Sequence, residues 1–494
     1  EDPAARLGGF RIARVLTAEP HPQADKLQVL SVDAGDGPLQ VVCGAPNARA
    51  GLVGVFGLPG ATVPASGMVL RLAAIRGVES NGMMCSTREL ELGEDHDGII
   101  ELASDAPVGT DFADFAGLTD PVIDVSVLPN RPDCMGVRGI ARDLAAAGLG
   151  TLKPLKLSPV AGEGAGPAIR IEDADGCPAF YGQTVRGVTN GPSPEWLANR
   201  LRAIGQKPIS ALVDVTNYIS IDLGRPLHVY DADTLTGALV ARTSIPDDAP
   251  FMALNNKEYG PVENAVVIAD DARGPGGVLG FGGIIGGEFS GSQLATTNVV
   301  IECAYFDPDR IARTGQKLAL TTDARQRFER GVDPAFLDDG LVIATALVVE
   351  LCGGTPSEVT RAGSPPATPR ALKYDPALAE TLGGLAVSAD RQRADLSSLG
   401  FAVADDWTLT IPTWRPDIDG PADIVEEVIR LAGIDNVPST PLPRVPGVAK
   451  PTATPAQKLE RKVRRAAAAR GLDEAVTWSF IPEDQAALLG GGDW

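Results

Sequence analysis

Only three histidines occur in 494 residues, at positions 21, 96 and 228. His228 closes the bend in "DVTNYISIDLGRPLHVYD" (214–231), shortly after Thr216 and Asn217. An imidazole there can be a general base, a ligand or a packed core residue, and spacing identifies no carboxylate to orient it. No histidine stands beside a cysteine or a second histidine at ligand spacing, so histidine-bound metal is not expected. His21 in "HPQADKL" (21–27) and His96 in "GEDHDG" read as an exposed loop residue and an exposed turn residue. Glu302 in "IECAYF" is a polar residue in an apolar strand, which is costly unless it finds a partner.

Two further groups could do chemistry. The run "GFGGIIGG" (280–287) suggests a phosphate cradle, but it lacks the Lys and Ser/Thr of a P-loop. It can also be a tight turn needing positive φ, or a place where backbone N–H groups approach a carbonyl or an oxyanion. Asp417, Asp423, Glu426 and Glu427 form an acidic cluster near Pro421, which marks a helix start. Asp423, Glu426 and Glu427 lie at i, i+3 and i+4 and share one helix face. A solvated acidic helix end and a hard-cation site both fit that spacing.

The bulk numbers bound the setting. The length implies about three to five domains. The composition, 44% hydrophobic and 22% charged, is that of a soluble globular protein. No apolar run is long enough to span a bilayer, so no membrane association is expected. No signal peptide is visible, and the absence of an initiator Met suggests an upstream piece. Six scattered cysteines without a C-x-x-C pair argue against zinc ribbons and disulfide frameworks and favour a reducing cytoplasm. A net charge of −21 disfavours nonspecific nucleic-acid binding. The basic stretch "KLERKVRRAAAARG" (458–471) reads as a solvated helix face.

These side chains must be positioned by several kinds of element. Residues 7–60 alternate β-rich runs with Gly/Pro turns, as in a small barrel, and the pattern continues to about residue 87. Residues 121–150 switch to helical spacing, with Pro132 and Asp133 at a helix start and Gly148 and Gly150 as the stop. The segment 157–167 is a linker by composition. Strands and helices mix over 168–360. One helix is "SPEWLANRLRAIGQ", with Ser193 capping and Pro194 at its first position; another is the buried "LVIATALVVELCGG" (341–354). A second linker (361–372), a small α+β unit (373–440) and a Pro-rich linker (438–455) follow, and the last forty residues begin a new element.

"HPQADKL", "VVCGAPNARAG" (41–51) and "SNGMMCS" (80–86) together resemble the tRNA-binding OB-fold appended to several aminoacyl-tRNA synthetases. With "DVTNY", "GRPLHVYD", "FGGIIGGE", "IECAYFDP" (301–308), "TTDARQRFERGVDP" (321–334), "PTWRPDI" (412–418) and "DIVEEVIRLAGIDNVP" (423–438), the whole chain resembles the β subunit of bacterial phenylalanyl-tRNA synthetase, truncated at both ends. The resemblance implies a multidomain α+β protein. Residues 2–112 would be a tRNA-binding OB-fold β-barrel and 113–167 a helical connector. Residues 168–363 would form a mixed α/β editing domain, 364–440 a small winged-helix-like α+β domain and 450–494 the start of an inactive class II synthetase-like core.

The family forms α2β2 heterotetramers in the cytoplasm. The α subunit attaches phenylalanine to tRNA-Phe with ATP; no ATP loop is visible here. An apolar pocket rejects an added hydroxyl by only about a hundredfold, so a second site hydrolyses mischarged Tyr-tRNA-Phe. By resemblance, Glu302 bonds the tyrosine hydroxyl, and Thr216, Asn217, Gly282, Gly283, Thr322 and Ala324 line the pocket. His228 holds the substrate or the attacking water. Asp417, Asp423, Glu426 and Glu427 match a Mg²⁺ site shared with the α subunit. A noncatalytic tRNA-binding scaffold and a free-standing aminoacyl-tRNA deacylase are the alternatives. The retained "TN", "PLH", "IE" and "TDA" elements argue against the first. The acidic cluster and the start of the core argue against the second.

Overall fold

A computed structural model describes residues 3–93, 95–119, 122–442, 451–477 and 480–488. Contacts divide the chain into two units, 1–437 and 438–494.

The first unit opens with a five-stranded antiparallel sheet ordered Pro38–Cys43, Ala24–Asp33, Phe10–His21, Val53–Gly57, Met83–Met84. Alternation along Phe10–His21 sends Phe10 and Ile12 into one cluster and Ala13 and Val15 into another, so both faces of the sheet are buried. His21 is not the exposed loop residue its sequence context suggests. It ends the long strand and is 5% exposed. Its Nε2–H donates to the Ile75 carbonyl at 3.1 Å, and its Nδ1 accepts the Gln23 N–H at 3.0 Å. Buried polar atoms need partners, and here a hairpin some fifty residues away supplies one. His96 is exposed in irregular backbone, as expected.

The helical connector starts as a 3₁₀ turn, Pro132–Met135. It breaks at the extended Gly136 and continues as the helix Val137–Ala146, with Gly148 at φ 79° just beyond. The segment 157–167 is less free than its composition suggests. It runs along the strand Thr355–Gly363, with Glu163 N–H donating to the Pro356 carbonyl and Glu358 N–H to the Gly164 carbonyl.

The central region is a stack of three layers. A four-stranded sheet, ordered His228–Asp231, Asn298–Tyr305, Ala179–Arg186, Thr355–Gly363, lies in the middle. One face carries Phe180, Tyr230, Val300 and Ala304 and packs on a five-stranded sheet through Val267, Leu279 and Phe281. That second sheet is ordered Ile285–Gly286, Val278–Phe281, Val266–Asp270, Leu239–Thr243, Ile169–Ile171. The opposite face carries Val229, Val299, Ile301 and Cys303 and packs on the helices Ala211–Leu223 and Leu337–Cys352. The latter is the buried helix expected over 341–354. It begins four residues earlier, because Leu337 joins the same apolar stripe as Leu341, Ala344 and Val348. The helix expected from Ser193 runs Glu195–Ala203 and has no side-chain cap. The Ser193 hydroxyl donates instead to the buried Asp214 carboxylate at 2.6 Å.

The small α+β region has a three-stranded sheet, Arg370–Lys373, Thr408–Ile411, Ala402–Val403, covered by the helices Ala389–Ser398 and Pro421–Ala432. Residues 443–450 of the Pro-rich stretch 438–455 lie outside the described residues. In the second unit, Thr454 and Gln457 form a reciprocal capping box for the helix Pro455–Ala468, whose basic side chains are exposed. Among the described residues no helix is long and apolar enough to cross a membrane.

The His21 tether yields a stability prediction. His21→Ala should destabilise the N-terminal sheet by about 2 kcal/mol through two lost hydrogen bonds. Urea unfolding followed by circular dichroism measures it, and an unchanged midpoint contradicts the tether.

Candidate functional site in the central sheets

Strand alternation places three groups on one face of the four-stranded sheet. His228 pairs in register with Glu302, and Tyr230 lies two residues on, so all three point toward the second sheet. The Tyr230 hydroxyl donates to Glu302 Oε2 at 2.5 Å. No other protein group among the described residues bonds that carboxyl, so one oxygen remains for a ligand. Burial pushes the Glu302 carboxyl from 4.5 up to about 7, and the Tyr230 bond pulls against it. Burial, with the adjacent Glu302 charge, also raises the Tyr230 phenol well above its usual range, so it stays a donor. The His228 ring meets Tyr230 edge to face, with centroids 4.5 Å apart. Its Nε2 is buried without a hydrogen-bond partner, and burial lowers the imidazole to about 4. The ring is therefore neutral near pH 7 and has no carboxylate orienting it.

The facing wall is the glycine-rich hairpin. Strands Val278–Phe281 and Ile285–Gly286 pair through Phe281 and Ile285, and Gly283 makes the turn at φ 67°. Of the backbone donors at the turn, Gly282 N–H is committed to the Val266 carbonyl and Ile284 N–H to that of Phe281. Only Gly283 N–H lacks a partner, so the loop offers one donor and no multi-donor cradle. Gly286 permits a close approach: a Cβ there would lie 2.6 Å from His228 Cε1. The helix Asp323–Arg330 closes the pocket with Ala324 and Phe328. The cavity volume is about 80 Å³, open on one side.

His228, Gly282, Gly283, Glu302 and Ala324 thus converge on one pocket. Thr216, Asn217 and Thr322 do not line it. Thr216 sits within the helix Ala211–Leu223, its hydroxyl bonded to the Val213 carbonyl of its own helix, and Asn217 follows it there. Thr322 acts from behind: its hydroxyl donates to the Ile284 carbonyl at 2.8 Å and caps the next helix at Arg325 N–H, fixing the hairpin to that helix. Sequence reasoning missed Tyr230 and Gly286. The signal for Tyr230 was period-2 spacing from His228 in a strand.

The four acidic residues expected to meet a Mg²⁺ ion shared with an alpha subunit stand in different environments within this chain. Among the described residues no set of three or more His, Cys, Asp or Glu side chains could hold a metal. Asp417 is paired with Arg415 through two bonds of 2.8 and 2.7 Å. Glu427, 1% exposed, contacts Arg415 at 3.1 Å and Arg430 at 2.6 Å. Burial would raise this carboxyl, but the Arg415 charge and the two guanidinium bonds outweigh that and lower it. Asp423 caps its helix, accepting the N–H groups of Asp419 and Gly420. Glu426 alone is exposed, accepting a bond from Asn130 at 3.3 Å. The i, i+3, i+4 spacing is real, but Arg415, just before that helix, and Arg430, one turn along it, pair with two of the four carboxylates. Among the described residues the four carboxylates do not gather around one point within this chain; the ion expected there is one shared with an alpha subunit.

Two predictions follow from these opposite environments. Because Glu302 titrates higher in the folded chain than unfolded, its neutral form contributes stability in full below pH 4.5, and this is lost as pH rises through 7. Between pH 4 and pH 9, the stability of Glu302→Gln relative to the parent should therefore rise by about 3 kcal/mol; a pH-independent difference contradicts the neutral carboxyl. Arg415→Ala should cost about 3–5 kcal/mol in chemical denaturation, because it strands Asp417 and Glu427 without their cation; a loss under about 1 kcal/mol, the level of an exposed pair, contradicts the buried network.

Four family models match the chain. They are a B3/4 domain over 176–353, a tRNA binding domain over 10–111, a tRNA synthetase B5 domain over 372–434, and a phenylalanyl tRNA synthetase beta chain CLM domain over 438–493. The phenylalanine–tRNA ligase beta subunit of Novosphingobium aromaticivorans is 66% identical across 100% of this chain and 61% of its own length. Those of Zymomonas mobilis and Rhodopseudomonas palustris are 55% and 52% identical, covering 100% of this chain and 62% and 61% of theirs. The chain thus spans about three fifths of the length of the curated relatives it matches. With four domain models matched in sequence and this identity sustained from end to end, the chain belongs to the family of bacterial phenylalanyl-tRNA synthetase beta subunits.

Proposed function

We propose that this chain serves as the beta subunit of a cytoplasmic phenylalanine–tRNA ligase. In this reading an alpha-subunit partner, in an α2β2 assembly, carries out the ATP- and Mg²⁺-dependent attachment of phenylalanine to tRNA-Phe. This chain binds tRNA through its N-terminal region and hydrolyses mischarged Tyr-tRNA-Phe in the central pocket. One observation carries the editing assignment: a buried carboxyl with one unbonded oxygen, held near neutrality, in a pocket whose walls are otherwise mostly apolar.

The chemistry required is modest. A tyrosyl group enters with its phenol against the free oxygen of Glu302, and Tyr230 fixes that carboxyl in place. Phenylalanine lacks the hydroxyl and would leave the same oxygen buried without a partner, which is the discrimination an apolar pocket alone does not supply. Gly283 N–H is the available donor for the ester carbonyl as it gains negative charge. Water adds to that carbonyl carbon, the bond to the ribose oxygen breaks, and the oxygen leaves with a proton, giving tyrosine and free tRNA. His228, neutral and weakly basic, positions the water or substrate through its unpaired Nε2. It is a poor general base at neutral pH, since an effective one titrates near the working pH.

The test uses the complex with its alpha partner and preformed Tyr-tRNA-Phe. Glu302→Ala and His228→Ala should each slow deacylation by about tenfold or more, as expected for loss of a positioned polar contact, while phenylalanine charging persists. Parental deacylation by both variants contradicts the editing assignment. Deacylation at the full rate by this chain without its partner would favour a free-standing deacylase.

A further inference from the structure

A second cavity lies within the 1–437 unit, away from the hairpin. Its walls come from the connector around Arg138 and Arg142, the bend at Arg225, the segment 327–339 and Trp414. Its volume is about 360 Å³, open to solvent.

Among the described residues, eight buried side-chain polar atoms lack a hydrogen-bond partner, and four belong to residues lining this one cavity. They are Arg142 Nη1, Arg225 Nε, Arg327 Nε and Trp414 Nε1. All four are donors that cannot accept. The deficit is therefore one of acceptors, and buried unpaired donors cost about 1–3 kcal/mol each, more when charged. Arg225 is 1% exposed and Arg327 8%. Burial lowers the Arg142 and Arg327 guanidinium groups below their usual range despite nearby carboxylates.

The cavity's own anions do not meet the need. Four guanidinium groups, those of Arg138, Arg142, Arg225 and Arg327, face three carboxylates, those of Asp133, Asp333 and Asp339. Both Asp133 oxygens are taken by Arg131 at 3.0 Å, leaving Arg142 Nη1 3.6 Å away. One Asp333 oxygen accepts the Ala335 N–H at 2.9 Å. Arg225 spends its terminal nitrogens on the Ala304 and Asp333 carbonyls, and Arg327 spends one on the Asp323 carbonyl. Arg142 Cζ lies over the Trp414 ring, 4.1 Å from its centroid. A guanidinium held over an aromatic ring is pre-organised for a planar or tetrahedral oxyanion.

We propose that this cavity binds a small oxyanion, the carboxylate or phosphoryl group of a ligand, between Arg142, Arg327 and Trp414. Isothermal titration calorimetry of the full chain with inorganic phosphate, pyrophosphate and citrate, at constant ionic strength, tests it. At least one of these should bind at one site per chain. Arg142→Gln should weaken binding by about tenfold or more, the value of one charge-assisted hydrogen bond. Arg186→Gln, remote from the cavity, should leave binding unchanged. Heat with phosphate or pyrophosphate alone assigns a phosphoryl ligand, and heat with citrate alone a carboxylate; either upholds the site. If Arg142→Gln does not fold, Arg138→Gln on the same wall is read by the same criterion. No saturable binding at millimolar anion, meaning a cavity filled by water only, overturns the proposal. So does equal binding by the parent and the folded arginine variant.

Discussion

The register between the strands His228–Asp231 and Asn298–Tyr305 is the constraint on which the central region depends. Side chains alternate across a strand, so a slip of one residue exchanges its two faces completely. In the observed register Val229, Val299 and Ile301 pack against the helices, and His228, Tyr230 and Glu302 face the second sheet. The shifted register would drive a carboxyl and an imidazole into the helix-facing core and turn Ile301 and Val229 toward the pocket. The cost of burying those polar groups without partners, together with the lost packing, rules it out. The apolar requirement of one face therefore positions the polar groups on the other. Thr322 extends the constraint by tying the glycine hairpin to the helix that supplies Ala324 and Phe328.

Two buried glutamates in this chain show how environment decides chemistry. Glu427 is enclosed by Arg415 and Arg430 and holds its charge, which locks the helix Pro421–Ala432 to the rest of its domain. The same network reaches the connector through Asp143, which pairs with both Arg131 and Arg430. Glu302 has no cation, only a phenol, and its carboxyl is pushed toward neutrality. The first arrangement pairs each carboxylate oxygen with a guanidinium group. The second leaves one oxygen unbonded in a pocket, which is what recognition of a hydroxyl requires.

Much of this was legible in the sequence, for identifiable reasons. The buried helix at 337–352 announced itself by length and apolar spacing. Glu302 did so as a charge in an apolar strand, and His228 by rarity and by the bend before it. What was not legible depends on partners distant along the chain. His21 resembled a loop residue because its acceptor, the Ile75 carbonyl, lies in another hairpin. Ser193 looked like a helix cap until the buried Asp214 claimed its hydroxyl. Helical spacing placed Asp423, Glu426 and Glu427 on one face, but it carried no information about Arg415, which neutralises Glu427 from outside that helix. Tyr230 was visible only once the strand pairing was known, because its role follows from register with Glu302 and not from its own neighbours.

The central claim is that Glu302, fixed by Tyr230, reads a substrate hydroxyl. Competitive binding of tyrosine and phenylalanine amides to the chain, followed by calorimetry in the parent and in Glu302→Ala, tests it most directly. A hydroxyl read by a buried polar group should give tyrosine an advantage of about tenfold or more. The account predicts that advantage in the parent and its disappearance in the variant. Equal binding of the two amides by the parent, or a tyrosine preference that survives loss of the carboxyl, would contradict it.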